Sequence, residues 1–198
     1  MLTDFARKSA RDLLNAVAGF FNRLGLTPNM LTVIGFLLVC VIAAVIAMGY
    51  EAWGAVLLIF GAGFDATDGA LARMTNRVTK FGAFFDSTLD RYADGVLMLA
   101  LVWRGLEYNN RLIVVLAVLA LIGAFLVSYA RARAEGIGLQ MKDGWFTRLE
   151  RMIVLVLGLL GTIFFGQNAL VVALAILAVL SNITAVQRIV LTKQKLNE

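Results

Sequence analysis

The chain has 198 residues, of which 61% are hydrophobic and only one is proline, and its net charge is +5. Because a soluble domain is about 45–50% apolar, this composition excludes an ordinary soluble protein and predicts an all-α integral membrane protein. The absence of histidine excludes histidine-based triads and histidine-ligated zinc, so any metal must be held by oxygen, which favours Mg, Mn or Ca.

The length fits about six spans of roughly 20 residues each. It predicts one domain over residues 1–198, with an interfacial helix at 1–27, a six-span core at 28–190 and a polar tail at 191–198. The basic residues of so apolar a chain indicate a membrane topology and a lipid bilayer, and no nucleic-acid partner. Cys40 is the single cysteine, which excludes an intramolecular disulfide.

Residues 1–27 combine apolar positions at helical spacing with the basic side chains Arg7, Lys8, Arg11 and Arg23. This pattern predicts an amphipathic helix on an anionic leaflet. Charged residues interrupt the apolar ones, which argues against a signal peptide. Pro28 should end the helix, because the residue before proline avoids the α region. An ordinary frayed N-terminus is the alternative.

Six apolar segments follow and predict the spans. They cover 31–50, 52–74, 81–103, 112–130, 152–165 and 169–183. Good helix formers at 131–135 extend the fourth segment beyond the bilayer. All Lys and Arg residues except Arg91, Arg104 and Arg111 lie at the N-terminus, in the 73–80 turn, in the 131–151 loop or in the polar stretch from Arg188 onward. The positive-inside rule then predicts a multi-pass cell-membrane protein with both termini in the cytoplasm.

Four aspartates lie in the second and third segments near the basic side. Asp65 and Asp68 stand at i,i+3 on one helix, and Asp86 and Asp90 at i,i+4 on the next, so each pair shares a face. Within the bilayer each ionised carboxylate costs at least about 2.5 kcal/mol, which calls for partners. We predict two divalent cations held by the four carboxylates, which would clamp a diphosphate below the cytoplasmic surface.

Small and basic residues are interleaved with these aspartates. Gly69 and Gly82 would let backbone approach a phosphate closely, and Arg73 would pair with it bidentately. Two other interpretations exist. The aspartates could be structural partners of Arg73 and Arg91, or they could belong to a divalent-cation transport or binding protein. Clustering in one hairpin near one surface argues against a path through the membrane.

The pattern from Asp65 to Asp90 also resembles a known signature. It reads Asp65-x2-Asp68-Gly69-x2-Ala72-Arg73-x8-Gly82-x3-Asp86-x3-Asp90, and it is similar to that of the CDP-alcohol phosphotransferases. The resemblance implies a homodimeric enzyme in which an acceptor hydroxyl displaces CMP from CDP-diacylglycerol, with Mg or Mn as cofactor. It further implies roles for individual residues. The metal ligands would be Asp65, Asp68, Asp86 and Asp90, and Asp90 would also be the base. The diphosphate would be contacted by Gly69, Arg73 and Thr79. The nucleotide site would be lined by Pro28, Asn29, Met30, Leu31 and Thr32.

A second basic cluster carries the information on the acceptor. Several arginines follow the fourth segment, precede the fifth and follow the sixth, and they suit a phosphorylated alcohol. Positive-inside bias is the alternative. The segments 128–135, 147–151 and 187–188 resemble those of prokaryotic phosphatidylinositol-phosphate synthases, which implies that inositol 1-phosphate is held by Ser128, Arg131, Arg151 and Arg188.

Two positions depart from that pattern, since Arg131 replaces a lysine and Thr147 replaces a glutamate. Arginine keeps the charge but changes a point charge into a planar fork. The phosphatidylglycerophosphate synthases are the second possibility within the family. They usually carry an arginine where this chain has Gly35, which disfavours them.

Overall fold

Helices form nearly the whole protein. The computed structural model describes residues 14–141 and 143–197, without the side chain of Asp65, and within this part it contains no strand. A helical segment at 14–23, here α1, comes first. The others are α2 Pro28–Ala47, α3 Glu51–Met74, α4 Lys80–Glu107, α5 Arg111–Gly136, α6 Arg148–Phe165 and α7 Gln167–Asn197.

The predicted all-α membrane class is confirmed, and the six apolar segments correspond to the helices α2 to α7, although the segment 31–50 runs three residues past the end of α2. Four of these, α2, α3, α5 and α7, are long and apolar enough to cross a membrane. In the described residues α4 and α6 do not reach this apolarity, because charged side chains interrupt both. Spanning by these two helices and the amphipathic helix at 1–27 stay predictions, and residues 1–13 lie outside the described part.

The chain forms two compact units. The first holds the described residues up to Ile42 together with Leu57–Ala93, and the second holds Ala43–Val56 and the chain from Asp94 onward. In the first unit Ala18, Leu31, Ala70 and Leu71 are buried in one cluster. Part of α1 therefore packs on α2 and α3. The prediction of a single domain over residues 1–198 stays a prediction.

Threonine side chains cap two helices of the first unit. Thr27 precedes α2, and its Oγ1 accepts a hydrogen bond from the backbone N–H of Met30 at 3.3 Å. Pro28 is then the first residue of α2, where its fixed φ suits the helix and its missing N–H costs nothing. Thr79 caps α4 in the same way, because its Oγ1 accepts from Gly82 N at 2.9 Å.

Close helix contacts at glycine organise the second unit. A Cβ atom on Gly123 of α5 would lie 2.7 Å from the Cβ of Ser181 of α7, and one on Gly158 of α6 would lie 2.3 Å from that of Ala173. Larger residues at these positions would push the helices apart, since small residues are what lets membrane helices approach closely. The polar part of α7 continues the helix through the predicted tail to Asn197.

A buried ion pair joins the start of α3 to the end of α4 within the second unit. The Glu51 carboxylate accepts from Arg104 Nε and from the Tyr108 hydroxyl, each at 2.7 Å. The Arg104 guanidinium also lies 4.4 Å from the Tyr108 ring centre and contacts Glu107. Burial and the Glu51 hydrogen bond raise the pKa of Tyr108, so its phenol stays protonated as a donor. These contacts of Glu51 and Arg104 therefore stabilise the fold by linking the two helix ends.

Replacing Glu51 by alanine should destabilise the protein. The change leaves the half-buried Arg104 with the exposed Glu107 as its acidic partner. We expect a loss of about 2 kcal/mol and a fall in Tm of about 6 °C on thermal unfolding of the detergent-solubilised protein. Glu107→Ala is the matched control with little effect. Equal Tm values for the two variants would show that the buried pair contributes nothing.

Candidate functional site

Asp68 is the best-defined carboxylate of the predicted metal site. It is buried in α3, and its Oδ2 accepts a hydrogen bond from Thr32 Oγ1 of α2 at 2.7 Å. Its Oδ1 accepts from the backbone N–H of Gly69. The predicted nucleotide segment therefore meets the predicted metal ligands at Thr32. Both hydrogen bonds fix the orientation of the carboxylate.

The turn before α4 brings three further predicted residues together. A Cβ atom on Gly82 would lie 3.1 Å from Thr79 Oγ1 and 3.4 Å from Asn29 Oδ1. Asn29, in the first turn of α2, thus lies against the N-terminus of α4. The Thr79 hydroxyl accepts the capping bond from Gly82, and its own hydrogen can still be donated. Glycine at 82 is required because a side chain would close this gap.

Arg73 lies over Gly69 on the last turns of α3. A Cβ atom on Gly69 would be 3.3 Å from Arg73 Nη1, and the Arg73 side chain is exposed. The guanidinium and the glycine backbone thus form one accessible surface. Such a surface suits a diphosphate, because the glycine allows close approach and the planar fork pairs with two oxygens.

Asp86 and Asp90 lie half-buried in α4, one helical turn apart. Asp90 Oδ2 is 3.6 Å from Arg91 Nη2. Asp65 lies in α3, but its side chain is outside the described residues. Among the side chains that are described, no three acidic groups form a metal-binding cluster, so the four-aspartate site stays a prediction. Its donor set of carboxylates, with Asp68 already oriented, nevertheless fits a hard divalent cation such as Mg or Mn.

Two arginines of the predicted acceptor cluster are buried in the second unit. Arg188 is 5% exposed and Arg151 is 7% exposed. Arg188 Nη1 donates to the Val127 carbonyl at 2.6 Å, and its Nε donates to the Asp143 carbonyl at 3.0 Å. Two neutral acceptors thus orient Arg188 without cancelling its charge.

The residues of the predicted acceptor cluster differ in exposure and in their partners. Arg188 is within electrostatic range of Arg131 and Arg151, and both repel its charge. Arg131 is half-exposed and its Nε donates to Glu135 at 2.8 Å. The half-buried Ser128 hydroxyl donates to the Ala124 carbonyl at 3.2 Å. Three guanidinium groups held near one another against their repulsion form a natural anion site.

The 139–147 loop is a part of this cluster that the sequence did not reveal. Lys195 Nζ bonds Asp143 Oδ2 at 2.6 Å, which lowers the pKa of Asp143 and keeps it ionised. The neighbouring Gly144 packs on Arg188, because a Cβ atom there would be 3.0 Å from Arg188 Nη2. The only sequence signal was the Asp143-Gly144 turn dipeptide, which does not identify a partner far along the chain.

A methyl group at Gly144 should therefore weaken acceptor binding. Gly144→Ala would displace the Arg188 guanidinium by a few tenths of an ångström, and we expect KM for the phosphorylated acceptor to rise about fivefold, or about 1 kcal/mol. KM for the CDP-linked donor should not change. Gly136→Ala is the control, since that position has open space around it. An unchanged acceptor KM would mean that Arg188 does not need this packing.

Apolar helices, an oriented buried aspartate and a cluster of arginines define a helical membrane protein built for anionic, phosphate-bearing ligands. The family model of the CDP-alcohol phosphatidyltransferases matches residues 25–189. The chain belongs to this family and is a transferase, as the Asp65–Asp90 pattern predicted.

The sequences of several known proteins match this chain over nearly its whole length. Phosphatidylinositol phosphate synthase of Corynebacterium glutamicum is 39% identical, over 96% of this chain and 89% of that protein. Archaetidylinositol phosphate synthase of Pyrococcus horikoshii is 35% identical, over 96% of both. The crystal structure of Mycobacterium tuberculosis phosphatidylinositol phosphate synthase with CDP-DAG bound superposes with a TM-score of 0.86 at 34% identity, covering 91% of this chain and 94% of that one. The same mycobacterial protein has been solved in complex with manganese and citrate, with a TM-score of 0.84 at 34% identity and coverage of 90% and 88%.

Proposed function

We propose that the protein transfers a phosphatidyl group from CDP-diacylglycerol to inositol 1-phosphate and releases CMP. An inositol hydroxyl oxygen attacks the phosphorus that bears the diacylglycerol, the bond from that phosphorus to CMP breaks, and the hydroxyl proton leaves to a base. The observation that carries the choice of acceptor is the cluster of Arg131, Arg151 and Arg188. An acceptor without a phosphate group, such as serine or choline, offers no phosphate to balance these charges.

The first unit would hold the donor. Asn29, Thr32 and the other residues of the 28–32 segment would line the nucleotide site, which is supported by the contacts of Thr32 with Asp68 and of Asn29 with the turn at Gly82. Gly69, Arg73 and Thr79 would bind the diphosphate oxygens. Holding the donor in a fixed position reduces the entropic cost of reaching the transition state of the displacement.

The aspartates would hold the cation and move the proton. Two Mg or Mn ions would be bound by Asp65, Asp68, Asp86 and Asp90. Asp90 would also take the proton of the acceptor hydroxyl. When bound, such ions supply charge stabilisation on the diphosphate oxygens. Support for a divalent cation comes from the carboxylate donor set and from the manganese complex of the mycobacterial relative.

The second unit would hold the acceptor phosphate through Ser128, Arg131, Arg151 and Arg188. Buried guanidinium groups bind phosphate strongly, because the low dielectric strengthens charge-assisted hydrogen bonds. Arg188 is the central group, since Val127 and Asp143 orient two of its nitrogens while its charge stays available.

In the membrane, we place α2 to α7 as six spans and residues 1–27 on the cytoplasmic leaflet of the cell membrane, with both termini and the active site cytoplasmic. The distribution of Lys and Arg supports this orientation. The functional form would be a homodimer. Labelling of single cysteines placed at Trp145 and at Asn109, in a Cys40→Ala background, would test the orientation, since only the first should be protected from an impermeant reagent in intact cells.

The purified protein provides the test of function. CMP release would be measured with CDP-diacylglycerol, Mg or Mn, and a panel of inositol 1-phosphate, glycerol 3-phosphate, free inositol and serine. Release with inositol 1-phosphate alone supports the proposal. Release with glycerol 3-phosphate alone would assign the protein as a phosphatidylglycerophosphate synthase. A parallel reaction with an ether-linked CDP-archaeol donor would show which lipid is preferred, a choice raised by the archaeal relative.

A further inference from the structure

Asp94 is a buried carboxylate that lies among the acceptor arginines and has no role in the steps above. It is 8% exposed, its Oδ2 lies 3.6 Å from Arg151 Nη2, and its Oδ1 lies 3.9 Å from Arg148 Nε. Arg148 and Arg151 stand at i,i+3 in the first turn of α6, so they share one face of that helix. One carboxylate therefore contacts two guanidinium groups.

The surroundings make these ion pairs strong. Asp94, Arg148 and Arg151 line one cavity, and most of the remaining wall is apolar, including Leu97, Leu155 and Leu177. In such low-dielectric surroundings a guanidinium that loses its acidic partner is costly, and the attraction to a nearby carboxylate is larger than at the surface.

A carboxylate beside a phosphate-binding arginine also carries a penalty, because it repels the phosphate. The hydrogen bonds of Arg188 at Nη1 and Nε go to carbonyl oxygens, although the carboxylates of Glu135 and Asp143 also act on its charge. The pairing at Asp94 is consistent with binding because two guanidinium groups face one carboxylate, which leaves net positive charge at the site. What Asp94 adds is orientation, since an arginine fork binds phosphate well only when its plane is fixed.

We propose that Asp94 is a positioning residue, which holds Arg151, with Arg148 beside it, in the orientation that receives the acceptor phosphate. This proposal rests on the proposed function, and it adds to the acceptor subsite a carboxylate that orients the phosphate-binding arginine.

The test uses the full-length protein in detergent, with CDP-diacylglycerol and inositol 1-phosphate as substrates. Asp94→Asn should raise KM for inositol 1-phosphate about tenfold, with KM for CDP-diacylglycerol within about twofold, because the donor does not contact this carboxylate. Asp94→Glu keeps the charge and should recover a good part of the loss. If Asp94→Asn does not fold, Asp94→Glu carries the test alone with an expected rise of about threefold.

A double-mutant cycle separates positioning from general destabilisation. Arg151→Lys combined with Asp94→Asn should raise the acceptor KM no further than Arg151→Lys alone, since residues that act through one another are not additive. Glu51→Gln is the matched control, because it weakens another buried acid–arginine pair of the same unit and should lower Tm without changing either KM.

Three results would overturn the proposal. They are an unchanged acceptor KM in Asp94→Asn, additive effects in the cycle, or a lower KM in Asp94→Asn, which would show that the carboxylate only repels the phosphate. A wild-type protein that releases no CMP with inositol 1-phosphate would instead remove the proposed function, and this inference with it. The two failures are therefore distinguishable from the wild-type reaction alone.

Discussion

Asp90→Asn should abolish turnover. The asparagine keeps the shape of the side chain but cannot take the proton of the acceptor hydroxyl, and a general base contributes about 10²–10⁴-fold to a rate. Since Asp90 is also a proposed cation ligand, the total loss in kcat should exceed about 10³-fold. The measurement is CMP release from CDP-diacylglycerol at saturating inositol 1-phosphate, over a range of Mn concentrations.

The Mn series distinguishes the two roles of Asp90. If the residue served only as a ligand, high Mn would restore much of the activity of Asp90→Asn, because mass action refills a weakened site. If it is also the base, activity stays low at every Mn concentration. Glu107→Gln is the control, an exposed acidic residue whose partner is Arg104. Full activity of Asp90→Asn would remove the assignment of Asp90 as the base.

The helical fold was predictable from the sequence because each apolar run is long enough to form one helix. The contact of Thr32 with Asp68 agrees with the joint roles that the family resemblance implies for these residues. The sequence predicted a helix end at Pro28 and a third segment from residue 81, and the structure starts α2 at Pro28 and α4 at Lys80, each behind a threonine cap. Local chemistry explains all of these features.

The sequence predicted which residues belong to the acceptor cluster, but not which groups each of them contacts. Sequence reasoning placed Arg131 with Arg151 and Arg188, yet Arg131 is exposed and pairs with Glu135 one turn along α5, a pairing that i,i+4 spacing favours. The anchors of Arg188 are carbonyl oxygens at Val127 and Asp143. Every residue has a carbonyl, so no residue type in the sequence identifies them.

The partner of Asp94 was difficult to predict for a related reason. Helical spacing favours Arg91, which lies three residues earlier on α4, but no spacing rule within α4 indicates the pairs that Asp94 makes with Arg148 and Arg151 of α6. Spacing rules describe one helix at a time. Contacts between distant helices depend on how their faces pack, and in a membrane protein the apolar periodicity that would reveal those faces is obscured by lipid-exposed apolar residues.

Arg188→Lys should cause the largest loss in acceptor binding. Lysine keeps the positive charge but has no planar fork, so it cannot hold both the Val127 and Asp143 carbonyls and still present nitrogens to a phosphate. Charged hydrogen bonds contribute about 1.5–3 kcal/mol each, and we expect KM for inositol 1-phosphate to rise about 100-fold while KM for CDP-diacylglycerol stays constant. Lys193→Ala, an exposed cation on the same helix, is the control. A normal acceptor KM in Arg188→Lys would show that charge alone suffices and would move the phosphate site away from Arg188.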